Sequence, residues 1–273
     1  MSEPHATPSD GTTDIVVTRG AQWIEIEIRR PEKFNALREQ TATEIMDAMA
    51  EAEADDSVAA VLLAGDAKAF CSGIDTVEFQ VPEGKYFDFY RKRKRTKRFA
   101  RLFRDLPQYT KPVLCAVEGV ALGGGLELAL AADIVVAGAN ARFGFPETGI
   151  GIMPGAGGTQ TLPRLVGKAL AKELIWTGRR IGADEALAMR LVNHVVAAGG
   201  ALDKAREIAA AIARNAPLAV MQSKAVIERG FDLPLADAMA MESDAVFMLY
   251  FSEDRREGLQ AFREKRPARF RGA

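Results

Sequence analysis

Within residues 116–160 the chain sets three consecutive glycines, Gly123-Gly124-Gly125, between one apolar run and another that begins at Leu126. Glycine alone lets a neighbouring group approach the main chain without meeting a Cβ, so a triplet marks a place where backbone and something else come close. A helix that starts at Gly124 or Gly125 leaves its first N–H groups without internal partners. Those donors, with the positive end of the helix dipole behind them, suit negative charge on a ligand oxygen. Glu127 falls in the first turn of that helix. Glu147 follows in Phe143-Gly144-Phe145-Pro146-Glu147, ahead of Gly151-Ile152-Met153-Pro154-Gly155-Ala156-Gly157-Gly158-Thr159-Gln160. One stretch therefore offers backbone donors for a developing oxyanion and two carboxylates for acid–base chemistry.

The surrounding patterns predict an α/β core. Residues 23–29 alternate, with Ile24, Ile26 and Ile28 on one face and Trp23, Glu25 and Glu27 on the other. That pattern reads as a half-exposed strand, paired with 15–19 through a turn at Gly20-Ala21. Residues 41–54 carry Ile45, Met46 and Met49 at helical spacing. The runs 58–64, 112–117 and 134–136 are continuously apolar, as strands buried on both faces are. Helical segments separate them, as crossover units require. Beyond Gln160 the chain turns helical at 169–176, 183–190, 202–215, 218–229 and 235–251, with a short extended piece at 192–196. A last helix is capped at Ser252 and stops before Pro267. Residues 1–14 read as a disordered polar tail, 15–200 as the core, and 201–273 as a helical C-terminal region.

Several functions are excluded by what is missing. The 36 Lys and Arg nearly match the 37 Asp and Glu, so net charge makes no case for nucleic acid or an anionic membrane. The N-terminus has neither the apolar core of a signal peptide nor the Arg-rich pattern of a transit peptide. The apolar run 126–136 is broken by Glu127 and Asp133 and is too short to span a bilayer, so a cytoplasmic protein is expected. Cys71 and Cys115 read as reduced thiols. No His or Cys cluster has metal-ligand spacing, and no metal is expected. A G-x-S-x-G elbow is absent, and His5 and His194 give little for a serine hydrolase to use as base. The glycine triplet lacks the Lys of a phosphate-binding P-loop. In the segment 79–106 aromatic residues precede Arg91-Lys92-Arg93-Lys94-Arg95. Phe99, Leu102, Phe103 and Leu106 then form the apolar stripe of a helix. The basic side chains from Arg91 to Arg104 read as a solvated helix face, with RNA contact as the sharper alternative.

Five separated pieces, in order, resemble the enoyl-CoA hydratase/isomerase (crotonase) superfamily from about Ile15 to the C-terminus. They are Arg30-Pro31-Glu32-Lys33-Phe34-Asn35-Ala36-Leu37, Ala69-Phe70-Cys71-Ser72-Gly73-Ile74-Asp75, the triplet segment through Glu127, Pro146-Glu147 through Gln160, and Glu253-Asp254 through Arg266. The resemblance implies a crotonase-like spiral of β-β-α turns followed by a helical C-terminal trimerisation region, in a homotrimer or a hexamer of paired trimers. It implies an acyl-CoA thioester substrate and no separate cofactor, coenzyme A being part of the substrate. It places an oxyanion hole at the N–H groups of Ile74 and Gly124, and the acid–base pair of a hydratase at Glu127 and Glu147. It puts coenzyme A along Lys33, Ala36, Leu37, Gly73, Ile74, Asp75, Thr76 and Val77, with Gly155 near the carboxylates. Phe262 and Lys265 would close the site, Lys265 from another subunit. The reaction implied is hydration of a trans-2-enoyl-CoA. The alternatives are Δ3-Δ2 isomerisation, hydration of a special acyl group, or an RNA-binding member of the superfamily. Thr76 and Glu118 depart from the usual pattern, which carries an apolar residue at the first and Asn at the second.

Overall fold

The structure, a computed structural model, describes residues 13–80, 83–85, 87–88 and 97–273. Most of the expected tail, Phe89, Tyr90 and the basic run 91–95 lie outside the described residues. The chain opens with an antiparallel hairpin of β1 (Ile15–Arg19) and β2 (Trp23–Ile28), with Ile15 opposite Ile28. Helix α1 (Glu39–Ala54) follows. Three strand–strand–helix turns come next. They are β3 (Ala60–Ala64), β4 (Ala69–Cys71) and α2 (Lys97–Asp105), then β5 (Val113–Val117), β6 (Val120–Leu122) and α3 (Gly124–Leu130), then β7 (Ile134–Gly138), β8 (Arg142–Gly144) and α4 (Gly158–Val166). The remaining elements are α5 (Lys168–Thr177), β9 (Ile181–Gly182), α6 (Ala183–Ala188), β10 (His194–Val196), α7 (Ala201–Ile212), α8 (Pro217–Gly230), α9 (Leu235–Leu249) and α10 (Glu253–Glu264).

Each turn sends its first strand to one sheet and its second to another. The larger sheet has the order β1-β2-β3-β5-β7-β10, parallel from β2 onward, and the smaller has the order β4-β6-β8-β9. This is the β-β-α spiral that the resemblance implies. The chain must change sheets within a few residues, and Gly119, between β5 and β6, shows how tightly. Its φ is +58°, and a Cβ there would lie 2.0 Å from the Lys68 carbonyl oxygen. One apolar core fills the space between the sheets and α1 to α3, and a smaller one lies under α7.

The stripe expected on α2 is buried at Phe99, Leu102, Phe103 and Leu106. The ring of Phe99 stands 5.1 Å from that of Phe79 and 5.3 Å from that of Phe103, so these aromatics are ordinary core. The arginines on the described part of this helix are paired. Arg98 meets Asp47 at 2.6 Å, and Arg101 and Arg104 meet Asp105 at 3.0 and 2.6 Å.

Two features correct the sequence reading. Strand β2 is not half-exposed. Glu25, on its supposed solvent face, is 8% exposed, because α7 covers it and Arg206 holds its carboxylate at 2.7 Å through two nitrogens. Asp14, assigned to the tail, is buried and takes 2.7 Å bonds from Arg38 and a 2.6 Å bond from Thr41. Glu118, the unusual residue before Gly119, accepts from the N–H groups of Gly199 and Ala201 at 3.0 Å and so caps α7. On the C-terminal side, Lys224 of α8 reaches Asp133 at 2.8 Å and ties that helix to the end of the α3 segment. Among the described residues no helix is long and apolar enough to cross a membrane.

The corner at Gly119 gives a direct test. Gly119→Ala combines a left-handed backbone with a clash against main chain. It should destabilise the protein by about 2 kcal/mol or more and lower the melting temperature by several degrees. A melting temperature equal to wild type would show that the corner can relax.

Candidate active site

The small strands β4 and β6 run parallel, with Ala69 opposite Val120 and Cys71 opposite Ala121. Their pairing brings the segment after β4, Ser72 to Asp75, beside the glycine triplet after β6. Each glycine of the triplet makes room for a different group. A Cβ on Gly123, where φ is +51°, would stand 2.8 Å from Oε1 of Glu147. One on Gly124 would stand 3.5 Å from the Ile74 nitrogen and 3.0 Å from its Cγ1. One on Gly125 would stand 2.2 Å from the Cys71 carbonyl oxygen.

The N–H of Ile74 is set free by its neighbours' bonds. Leu37 forms an isolated parallel bridge with Ile74, donating to the Gly73 carbonyl at 2.7 Å and accepting from the Asp75 N–H at 2.8 Å. Along an extended segment successive amides point to opposite sides. The amide of Ile74 therefore points away from Leu37, toward the triplet. Gly124 is the first residue of α3, where an N–H has no intrahelical acceptor. Among the described residues neither the Ile74 N–H nor the Gly124 N–H has an acceptor.

Glu127 lies one turn into α3 and is 2% exposed. Its Oε1 accepts from the N–H groups of Ala156 at 2.7 Å and Gly158 at 2.8 Å, while its Oε2 is buried with no partner. Gly158 begins α4, so the carboxylate also sits at a helix N-terminus. Burial pushes the Glu127 carboxyl up from its ordinary value, and the two N–H groups work in the opposite direction. Glu147 opens a short 3-10 turn, Glu147–Ile150, and its Oε2 is likewise buried without a partner. Burial, with a further contribution from the charge of Glu127, raises its carboxyl to about 7. The fold thus brings together two carboxylates, each with one unengaged oxygen, and two unengaged N–H groups.

The other expected residues are placed as follows. Ala36 and Leu37 are buried beside the 73–75 segment, and Lys33, Thr76 and Val77 are exposed around it. The Asp75 side chain is itself buried and engaged, by Arg30 at 2.9 Å and by the Val77 N–H at 3.0 Å. Gly155 is exposed next to Ala156, with nothing nearer than the Met153 carbonyl, 3.8 Å from a built Cβ. Phe262 and Lys265 stand exposed at the end of α10. Among the described residues no hydrogen bond or ion pair joins them to the other segments. Sequence reasoning did not single out Gly123, Ala156 and Gly158 as neighbours of the carboxylates. The signal was present in the glycine-rich run ahead of a helix, a usual place for N–H groups to gather around an anion. Among the described residues no group of three or more His, Cys, Asp or Glu side chains is disposed to hold a metal ion.

Comparison with known proteins shows the family. The family profile described as enoyl-CoA hydratase/isomerase matches residues 18–273. The chain is 42% identical to the short-chain-enoyl-CoA hydratase of Clostridium acetobutylicum, over 93% of this chain and 95% of that one. It is 39% identical to the crotonyl-CoA hydratase of Syntrophomonas wolfei, over 94% of this chain and 97% of that one. The crystal structure of an enoyl-CoA hydratase from Bacillus anthracis superposes with a TM-score of 0.88 at 38% identity, covering 96% of this chain and all of the other. On these grounds the chain belongs to the enoyl-CoA hydratase/isomerase family, the crotonase superfamily.

Proposed function

We propose that this protein is an enoyl-CoA hydratase, adding water across the double bond of a trans-2-enoyl-CoA to give a 3-hydroxyacyl-CoA. The observation that carries this reading is the pair Glu127 and Glu147, each with a buried oxygen lacking a partner. Two such oxygens can hold one water. The unengaged N–H groups of Ile74 and Gly124 are the oxyanion hole for the thioester carbonyl. The names of the two relatives, which describe short acyl groups, make crotonyl-CoA the first substrate to try.

The two carboxylates divide the work by their surroundings. Glu127, whose Oε1 accepts from the Ala156 and Gly158 N–H groups that work against the upward push of burial, orients the water. Glu147, with its carboxyl raised to about 7, carries the proton. The water oxygen bonds to the β-carbon, and the carbonyl oxygen gains negative charge between the two backbone donors. Glu147 gives its proton to the α-carbon, and the proton released by the water passes to the carboxylate pair, so the site regains its starting charge. Fixed N–H donors stabilise such an enolate with little reorganisation. Coenzyme A lies along Lys33, Ala36, Leu37 and the 73–77 segment. The same reading takes the protein as a homotrimer or a pair of trimers. The exposed Phe231, Leu235, Phe247, Met248 and Phe251 of the C-terminal helices support an interface there.

Glu127→Gln and Glu147→Gln should each lower kcat for crotonyl-CoA hydration by about 10²–10⁴-fold while binding of the ester changes little. Normal turnover in either variant rejects its assigned role. Gly124→Pro removes an N–H at the first position of a helix, where proline is otherwise tolerated, and should abolish turnover. Gly124→Ala keeps the N–H; its Cβ would press on the Ile74 side chain at 3.0 Å and stand at ordinary contact distance, 3.5 Å, from the Ile74 nitrogen, so it should retain much more activity than the proline variant. Equal loss in both variants would show that space, not the donor, matters at this position.

The titration of Glu147 predicts a stability effect of definite sign. Its folded value, about 7, lies above the ordinary 4.5. The stability this carboxyl contributes is thus fully present below pH 4.5 and is lost as pH rises through about 7. Glutamine has no such loss. The melting temperature of Glu147→Gln relative to wild type should therefore climb between pH 4.5 and pH 7, and thermal melts across that range would read it. A difference independent of pH would mean that the carboxyl titrates as it does in water.

A further inference from the structure

We propose that Arg30 is a positioning residue for the Ile74 donor, clamping the two strands of backbone whose pairing aims that N–H. The proposal rests on the reading of Ile74 as half of the oxyanion hole. Arg30 ends the segment after β2, is 8% exposed, and does not touch the glycine triplet or either glutamate. Its guanidinium donates to the carbonyl of Ala36 through Nη1 and to Oδ2 of Asp75 through Nη2, the latter at 2.9 Å. Ala36 precedes Leu37, and Asp75 follows Ile74. One planar cation thus spans the Leu37–Ile74 bridge and fixes a neighbour on each side of it. The other oxygen of Asp75 accepts from the Val77 N–H at 3.0 Å, so the chain leaving Ile74 is held as well.

The clamp is itself braced. Arg30 Nε lies 3.6 Å from Asp14, whose carboxylate accepts from Nε and Nη2 of Arg38 at 2.7 Å and from the Thr41 hydroxyl at 2.6 Å. Arg30 N–H donates to Oδ1 of Asn35 at 2.8 Å, and the Arg30 carbonyl accepts from the Asn35 N–H at 2.9 Å. Those bonds hold Phe34 and Asn35 in the left-handed region, at φ +48° and +57°. Two adjacent non-glycine residues in that region persist only where the surroundings over-determine them. This turn lets the Phe34 carbonyl accept from the Ser72 N–H at 3.0 Å and brings Leu37 into register with Gly73 and Asp75. A buried ion pair is not an efficient means of gaining stability, since apolar side chains of similar volume often do as well. A guanidinium offers what they lack, bonds at fixed angles to two separate stretches of chain.

The test uses the full-length protein and the variants Arg30→Lys and Asp75→Asn. Lysine keeps the charge but is a point donor that cannot span both partners, and asparagine keeps the shape of Asp75 without its charge. The probe is a cinnamoyl-CoA with a para-dimethylamino group, a push–pull chromophore whose absorption moves to longer wavelength as its carbonyl is polarised. Melting curves establish folding, and titration gives Kd. Wild type should bind the probe with a red shift. With the probe at saturation both variants should lose much of the red shift, and kcat for crotonyl-CoA at saturating substrate should fall about 10–100-fold, as expected for a misaimed donor, whatever the loosened 73–77 segment does to Kd and KM. A purely structural role would lower the melting temperature and leave the red shift of the folded fraction intact. That outcome, or wild-type kcat with a full shift in either folded variant, overturns the proposal. If Arg30→Lys does not fold, Asp75→Asn decides alone. If neither variant folds, the pair is structural and the proposal fails. Wild type that shows neither red shift nor turnover overturns the underlying reading of the site, which is a different result from variants that match an active wild type.

Discussion

Gly125 and Cys71 approach until a methyl group on the glycine would stand 2.2 Å from the Cys71 carbonyl oxygen. Two stretches of main chain lie there in direct contact, with no side chain between them. The parallel pairing of β4 with β6 enforces the contact, and the sheet-changing corners, of which Gly119 is the tightest, make that pairing possible. Bringing backbone to backbone forgoes burial of side chains at that spot. The cores on either side, built from Phe70, Leu63, Leu114 and Leu128 among others, offset it. Once the two segments touch, the amides of Ile74 and Gly124 have no choice of neighbour, and Glu147 stands against the same glycine triplet.

Those glutamates also form an arrangement that departs from the most stable one. Each carries a buried oxygen without a hydrogen-bond partner, which costs free energy in a folded protein. The two are not equivalent. Glu127 has the N–H groups at the start of α4 around one oxygen. Burial raises both carboxyls, and Glu147 feels the negative charge of Glu127 in addition. Environments that differ in this way push two like groups toward different protonation states, as acid–base chemistry requires of a pair. Glu127 has a second role, since its carboxylate fastens the start of α4 and so the segment that carries Gly155 and Ala156.

Much of the fold was legible in the sequence where a periodic pattern ran long enough to be read. The stripe of Phe99, Leu102, Phe103 and Leu106 gave α2, and the unbroken apolar runs gave β3 and β5 as buried strands. Strands β4, β6 and β8 were not legible, because three residues are too few to display an alternation. The environment of Glu25 was misread because the side chain that neutralises it, Arg206, lies far along the chain on α7. For the site, local motifs pointed to Glu127, Glu147, Ile74 and Gly124, and the structure brings all four into one place. Their supports escaped notice. The N–H groups of Ala156 and Gly158 belong to the backbone and leave no mark in side-chain chemistry. Arg30 and Asp14 look like any surface charges until long-range contacts bury them.

On the proposed reading the polarising groups at this site are peptide amides, and a peptide amide is supplied by almost any residue. The side chain at position 74 then contributes packing rather than chemistry, and what the device needs at positions 123 and 125 is room, since a Cβ there would meet Glu147 or the Cys71 carbonyl. A lineage could exchange the two glutamates for other groups and inherit the amide pair unaltered, acquiring a new reaction without rebuilding the part of the site that is hardest to assemble. Such a device shows in a sequence as a run of glycines, and the acids beside it set which chemistry the amides would serve.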